Sequence, residues 1–222
     1  MFTILDKKKA KPVPIKEAQE EAQEEAQEDT PDAAAVQMLE MLSGGDGKDL
    51  RTMMLYGDVT EERAGDMVAG LLMLHGHRKE DKEADNSIKF YISTYGGSAD
   101  DMFSVYDVMR FVKQECEIET IGMGKIMSAG TLLLASGTKG KRKIFKNCRV
   151  MIHSVSAGNL GTIHNLENEL EEIQHLQDMY ISALAEETHM TKRQIRKILD
   201  QKVNVYLTAE EAVEYGLADE VI

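Results

Sequence analysis

The 222-residue chain has no tryptophan and only two cysteines, Cys116 and Cys148. Two cysteines make neither a disulfide framework nor a zinc pattern, so both read as small core residues in a reducing compartment. Basic residues are outnumbered, 26 to 39, and the net charge is −13. That balance argues against nucleic-acid binding, which calls for a basic footprint. No apolar run approaches the roughly 18 residues that suggest a membrane span. Lys7, Lys8 and Lys9 stand near the N-terminus, but no apolar core follows them, so no secretory signal is expected. No Gly-x-x-x-x-Gly-Lys-Ser/Thr run occurs, so no phosphate loop for ATP is expected. His75 and His77 lack a third ligand nearby and read as solvated loop residues. The expectation is a cytoplasmic protein with no cofactor, no metal, no nucleic-acid partner and no membrane association.

What is present divides at about residue 47. Glu-Ala-Gln-Glu occurs three times in tandem, at 17–20, 21–24 and 25–28. These residues favour helix but offer no apolar stripe to bury, so residues 1–47 read as an acidic, low-complexity extension, disordered or partly helical. They carry 11 acidic and 5 basic side chains, a net of −6 that leaves −7 for the remainder. Thr30-Pro31-Asp32 could open a short helix, and Ser43 to Gly47 reads as a linker. The extension is a dispensable tail, a removable propeptide or a docking arm. Hydrophobic residues make up 42% of the chain, enough for a single core over residues 48–222.

Within that core, short apolar runs alternate with helical patterns. Met53 to Tyr56 and Ile88 to Ser93 read as strands. Val59 to Leu74 and Asp100 to Lys113 read as helices, the second packing Met102, Val105, Tyr106, Met109, Phe111 and Val112. This order predicts βαβ units with right-handed crossovers. Ile163, Leu166, Leu170, Ile173, Leu176, Tyr180 and Leu184 recur at helical spacing, predicting a long amphipathic helix over 163–185. Ser128 lies between a strand-like run, Ile118 to Met123, and an apolar helical run, Ala129 to Ala135. Free N–H groups at a helix start would suit a nucleophile whose reaction develops an oxyanion. His153 closes the next apolar run, Val150 to Ile152, and could be the base. By spacing alone the plainer reading is favoured: a buried small-residue turn and a strand-end histidine, both common.

The flanking residues shift that balance. Gly124-Lys-Ile-Met-Ser128-Ala-Gly130, Ala135-Ser-Gly-Thr-Lys-Gly-Lys-Arg142, Arg149-Val-Met-Ile-His153 and Tyr206-Leu-Thr-Ala-Glu-Glu-Ala-Val-Glu-Tyr-Gly-Leu-Ala-Asp219 occur in that order. Together they resemble the nucleophile, base and C-terminal segments of the ClpP family of self-compartmentalising serine peptidases. The likeness spans about residues 48–222 and leaves out the first 47. It implies an α/β fold, a ClpP/crotonase-like core of repeated βαβ units with a protruding helical handle. It implies a serine endopeptidase cleaving unfolded polypeptides in a ring-shaped chamber, with Ser128 as nucleophile and His153 as base. Tyr95-Gly96-Gly97-Ser98 resembles the family's Ser-Pro-Gly-Gly turn, so Gly97 would give one oxyanion N–H; here the proline is replaced by Tyr95. Ala129, where methionine is usual, would give the other. Gly158 and Asn159 fall in the substrate-lining segment, where an extended peptide would pair by strand addition. The resemblance further implies a homo-oligomer of stacked heptameric rings, a tetradecamer joined by the handle, fed by an AAA+ Clp-type unfoldase that supplies the ATP dependence.

The chief departure is the third member of the triad. The family's aspartate stands two residues before the aromatic that opens the C-terminal signature, and here that position is Asn204. An amide oxygen can orient imidazole but cannot offset its cationic charge, and in the Ser-His-Asp template the exchange lowers turnover by ~10⁴. Asp200 could substitute only with a different local backbone. Lys125, three residues before Ser128, would allow a Ser-Lys variant that the serine–histidine pair makes unnecessary. Two alternatives follow: a catalytically weak or inactive structural subunit co-assembling with an active paralogue, or a specialised, phage-type processing peptidase.

Overall fold

The structure, a computed structural model, describes residues 50–222 except 82, 83, 157, 159 and 202. The expectations for residues 1–47, and the one for Asn159, lie outside the described residues.

Five strands set the frame: β1 (Thr52–Tyr56), β2 (Ile88–Thr94), β3 (Ile118–Met127), β4 (Lys143–Ile144) and β7 (Glu220–Val221), hydrogen-bonded in the order β1-β2-β3-β4-β7. All these neighbours are parallel. β5 (Arg149–Ile152) pairs in parallel with the far end of β3, and β6 (Val205–Leu207) runs antiparallel against β5. Helices α1 (Glu61–Gly76) and α2 (Ala99–Val112) are the crossovers that join parallel neighbours. This is the α/β, ClpP/crotonase-like architecture of repeated βαβ units.

Each crossover helix starts on a cap. Thr60 accepts from Arg63 N–H, and Ser98 from Asp101 N–H, with acidic residues in both first turns. The short α3 (Ala129–Ala135) is buried at every position. It fits between layers because its residues are apolar or small, with one exception, Thr131. The core it enters is aliphatic: Ile88, Phe90, Ile92, Ile118, Ile126 and Leu132 to Leu134 are wholly enclosed, each worth roughly 1.5–3 kcal/mol of burial. Cys116 and Cys148 are free and buried there, and burial pushes the Cys148 thiol up to about 12.

Several boundaries differ from the sequence reading. β3 runs four residues beyond Met123. Gly124, at φ +66, bends the strand where it passes from pairing with β4 at Gly122 to pairing with β5 at Lys125. α1 continues through His75, whose Nε2 meets Glu115 at 2.8 Å and whose ring lies against Phe111. Phe111 is therefore half exposed at the surface, not packed in the core. The 163–185 helix is α4 (Ile163–Glu187), capped by Thr162. Its two halves differ. Tyr180, Ile181 and Leu184 are buried, while Ile163, Leu166 and Leu170 are exposed at 74%, 41% and 55%. The apolar stripe thus outruns the core and forms the protruding handle. Two capped helices follow, α5 (Lys192–Leu199) and α6 (Ala209–Glu214), both with capping boxes. No helix among the described residues is long and apolar enough to cross a membrane.

Candidate active site

The site lies where parallel strands end, the edge at which open α/β sheets place their ligands. β3 delivers Ser128 and β5 delivers His153 to that edge. Met127 is in register with Met151, and Ser128 N–H donates to the Met151 carbonyl at 2.9 Å. One residue past the last of each strand, Met127 and Ile152, Ser128 Oγ and His153 Nε2 stand 2.7 Å apart. Twenty-five residues of sequence separation become a hydrogen bond because both strands run the same way and stop together.

Ser128 is the positive-φ non-glycine residue of the described chain, at φ 53° and ψ −121°. It caps α3 without making a side-chain capping bond, so its hydroxyl remains available to His153. Holding a side chain in that backbone region costs about 1–3 kcal/mol. The glycine pair after β2 makes room for it. A Cβ on Gly96 would meet Ser128 Cβ at 2.6 Å and the Met127 carbonyl at 2.9 Å. A Cβ on Gly97 would overlap the Val59 carbonyl. Around Gly97, Val59 N–H donates to the Gly96 carbonyl at 2.8 Å and Ser98 N–H donates to the Val59 carbonyl at 3.0 Å. That bridge leaves the Gly97 N–H without an acceptor among the described residues. The Ala129 N–H, at the first position of α3, likewise has none there. Gly97, Ala129, Ser128 and His153 all line one pocket of about 340 Å³, which Tyr95, Met102, Met151 and Tyr180 help to close.

His153 is half-buried, and burial lowers its pKa below the ordinary 6.5. The imidazole is therefore neutral at pH 7, the state that can accept a proton from Ser128. Asn204 sits directly before β6. The antiparallel register pairs Ile152 with Val205, and one step further sets Asn204 opposite His153. Its side chain is exposed and makes no hydrogen bond to His153. Asp200 is the exposed C-cap residue of α5, its N–H bound back to Arg196. Lys125 is turned elsewhere: its ammonium lies over the rings of Tyr56 and Tyr95, at 5.0 and 4.7 Å. Gly158 is exposed, with open space where a side chain would be.

Two residues at the site were not singled out as site residues by the sequence. Thr131 Oγ1 donates to the Ser128 carbonyl at 2.7 Å. The Tyr180 hydroxyl lies 2.5 Å from Thr131 Oγ1 and 3.4 Å from the same carbonyl. The available signal was a hydroxyl inside each of two apolar runs, since a buried phenol needs a partner.

Comparison with known proteins agrees with this arrangement. A profile of the Clp protease family matches residues 47–222. The ATP-dependent Clp protease proteolytic subunit 1 of Corynebacterium glutamicum is 37% identical over 172 residues, covering 77% of this chain and 78% of that protein. Subunit 2 from Corynebacterium jeikeium and subunit 1 from Corynebacterium diphtheriae are each 36% identical over the same shares. With a family match over most of its length and strand ends that bring a serine against a histidine, the chain belongs to the Clp protease (ClpP) family.

Proposed function

We propose that residues 48–222 form a Clp-type serine endopeptidase domain that cleaves unfolded polypeptides. The 2.7 Å contact between Ser128 Oγ and His153 Nε2 carries this reading. In the reaction, Ser128 Oγ attacks the scissile carbonyl while its proton passes to His153. The tetrahedral oxyanion is held by the N–H groups of Gly97 and Ala129. His153 then returns the proton to the departing amine, leaving an acyl-serine. Water, deprotonated by His153, releases the acid and restores Ser128. Asn204 orients the imidazole through its amide oxygen once its side chain turns inward from the position opposite His153. An extended substrate pairs with the backbone at Gly158 and Asn159.

The relatives' names carry ATP dependence, and this sequence has no phosphate loop. An AAA+ unfoldase partner would supply it. The exposed apolar half of α4 supports packing between copies, and stacked heptameric rings in the cytoplasm are the assembly this reading favours. Residues 1–47 would be a tail, a removable segment or a docking arm outside the chamber chemistry.

A second reading is favoured by one observation: Asn204 is exposed and unbound to His153. In that reading the chain is a catalytically weak structural subunit beside an active paralogue. Fluorophosphonate labelling of wild type, Ser128→Ala and Asn204→Asp separates the two. Labelling of wild type that is lost in Ser128→Ala supports the peptidase. Labelling of Asn204→Asp alone supports the structural subunit.

A further inference from the structure

We propose that Thr131 and Tyr180 are positioning residues that aim the Ala129 N–H at the oxyanion by holding the carbonyl on the other side of the same peptide bond. The inference rests on the serine-peptidase reading.

The Ser128 carbonyl and the Ala129 N–H belong to one peptide unit. The described chain has no cis peptide bonds, so in that planar, trans unit the two groups point in opposite directions. Whatever fixes the carbonyl fixes the N–H. The carbonyl accepts from Thr131 N–H at 2.9 Å and from Thr131 Oγ1 at 2.7 Å. A threonine hydroxyl has one proton. The shorter reach to the Ser128 carbonyl, 2.7 Å from Thr131 Oγ1 against 3.4 Å from the phenol, assigns that proton to the carbonyl and makes Tyr180 the donor to Thr131 Oγ1 at 2.5 Å. The chain of donors therefore runs from Tyr180 to Thr131 to the Ser128 carbonyl, and it polarises each bond in turn. Both side chains are enclosed, and burial pushes the Tyr180 phenol up to about 12, so it stays a donor.

The clamp acts where the backbone is most in need of one. Ser128 is held at φ 53°, and α3 is only seven residues long, so its own ladder does little to fix its first turn. Tyr180 comes from α4, 49 residues downstream, and its ring also lines the substrate pocket. The nucleophile's peptide plane is thereby tied to the buried half of the handle helix, not only to the strand and helix on either side of it.

The test compares Thr131→Val, Thr131→Ser and Tyr180→Phe in the assembled protein with a fluorogenic peptide. Thr131→Val is expected to lower kcat about 10- to 100-fold, below the 10²–10³ of a lost oxyanion donor because the N–H is misaimed and not removed. KM should stay within about twofold, because ground-state binding does not use the oxyanion site. Tyr180→Phe should lower kcat less, and Thr131→Ser, which keeps the hydroxyl, should recover most of it. Wild-type kcat in both Thr131→Val and Tyr180→Phe overturns the inference while leaving the peptidase reading intact. So does a loss that Thr131→Ser fails to recover. An inactive wild type sinks the peptidase reading separately. The crystal structure of Thr131→Val decides the geometry in any case. A Ser128–Ala129 peptide turned away from the pocket supports the clamp, and an unmoved one overturns it.

Discussion

At the scale of single residues, the proposed chemistry of Ser128 turns on the protonation of His153. Burial disfavours the cation and lowers the imidazole pKa below 6.5. A lowered pKa keeps the base neutral to more acid pH, so kcat/KM should rise with pH through an apparent pKa under 6.5 and be level at pH 7. A pH–rate profile with an acid limb above 6.5 would show that burial does not set the base's state. Asn204→Asp puts a carboxylate opposite the ring and stabilises the cation. It should raise kcat by more than about tenfold and move the acid limb upward. A higher rate with no movement of the limb would mean that the introduced carboxylate acts on geometry alone. Ser128 and His153, which meet at 2.7 Å, drew notice because each is embedded in a run of recognisable neighbours, and so did Asn204, which makes no bond to His153. Thr131 and Tyr180 did not, since their meaning lies in a hydrogen bond across 49 residues. Lys125 could be weighed as a base from its position, but only the arrangement of the strands reveals the two tyrosine rings beneath its ammonium.

At the scale of elements, α1 to α4 were readable, while the short α5 and α6 and the strand ends were not. The apolar spacing of α4 predicted it to within two residues at its C-terminus. The sequence reading ended β3 at Met123, but pairing with β5 carries the strand through Gly124 and Lys125 to Met127. The junction of elements most exposed to mutation is Arg142. Its guanidinium donates to the carbonyls of Ala135, Glu187 and Gly216, at or just beyond the C-terminal ends of α3, α4 and α6. It also donates to both Asp219 oxygens, at 2.9 and 2.5 Å. Burial alone would raise the Asp219 carboxyl, but the Arg142 bonds and charge, with the Gly140 N–H, outweigh it and lower the pKa below 3.8. The stability from Asp219 is therefore complete above pH 3.8 and is lost as pH falls through the lower folded value. Arg142→Met leaves three carbonyls unanswered and strips the Asp219 carboxylate of its charged partner, leaving it only the N–H groups of Gly140 and residue 142. It should cost about 3–5 kcal/mol at neutral pH, read as a shift in the urea midpoint. A stability within about 0.5 kcal/mol of wild type, the scale of an inert surface change, would contradict the buried network. Gly97→Ala should also unfold the turn, since its Cβ cannot occupy the space of the Val59 carbonyl.

At the scale of the whole molecule, the exposed half of α4 and the strain at Ser128 reach beyond their own neighbourhoods. Leu166→Asp with Leu170→Asp places charge on an apolar stripe that the single chain leaves open. Native mass measurement should then find smaller assemblies, while the circular dichroism of the subunit is unchanged. An assembly of undiminished mass would place the subunit contacts elsewhere. Neither the stripe's exposure nor its division into buried and open halves could be read from periodicity, which marks an apolar face and not what covers it. The backbone at Ser128 has a different kind of reach. Glycine accepts φ 53° freely, whereas alanine carries the same Cβ as serine. Of two inactive variants, Ser128→Gly should therefore melt higher than Ser128→Ala, the relief being about 1–3 kcal/mol less the roughly 0.5–1 kcal/mol of added chain entropy. A lineage that had given up its chemistry would gain stability by drifting to glycine at this position. The serine makes the folded chain less robust than glycine would, a cost that the proposed chemistry of its hydroxyl would offset.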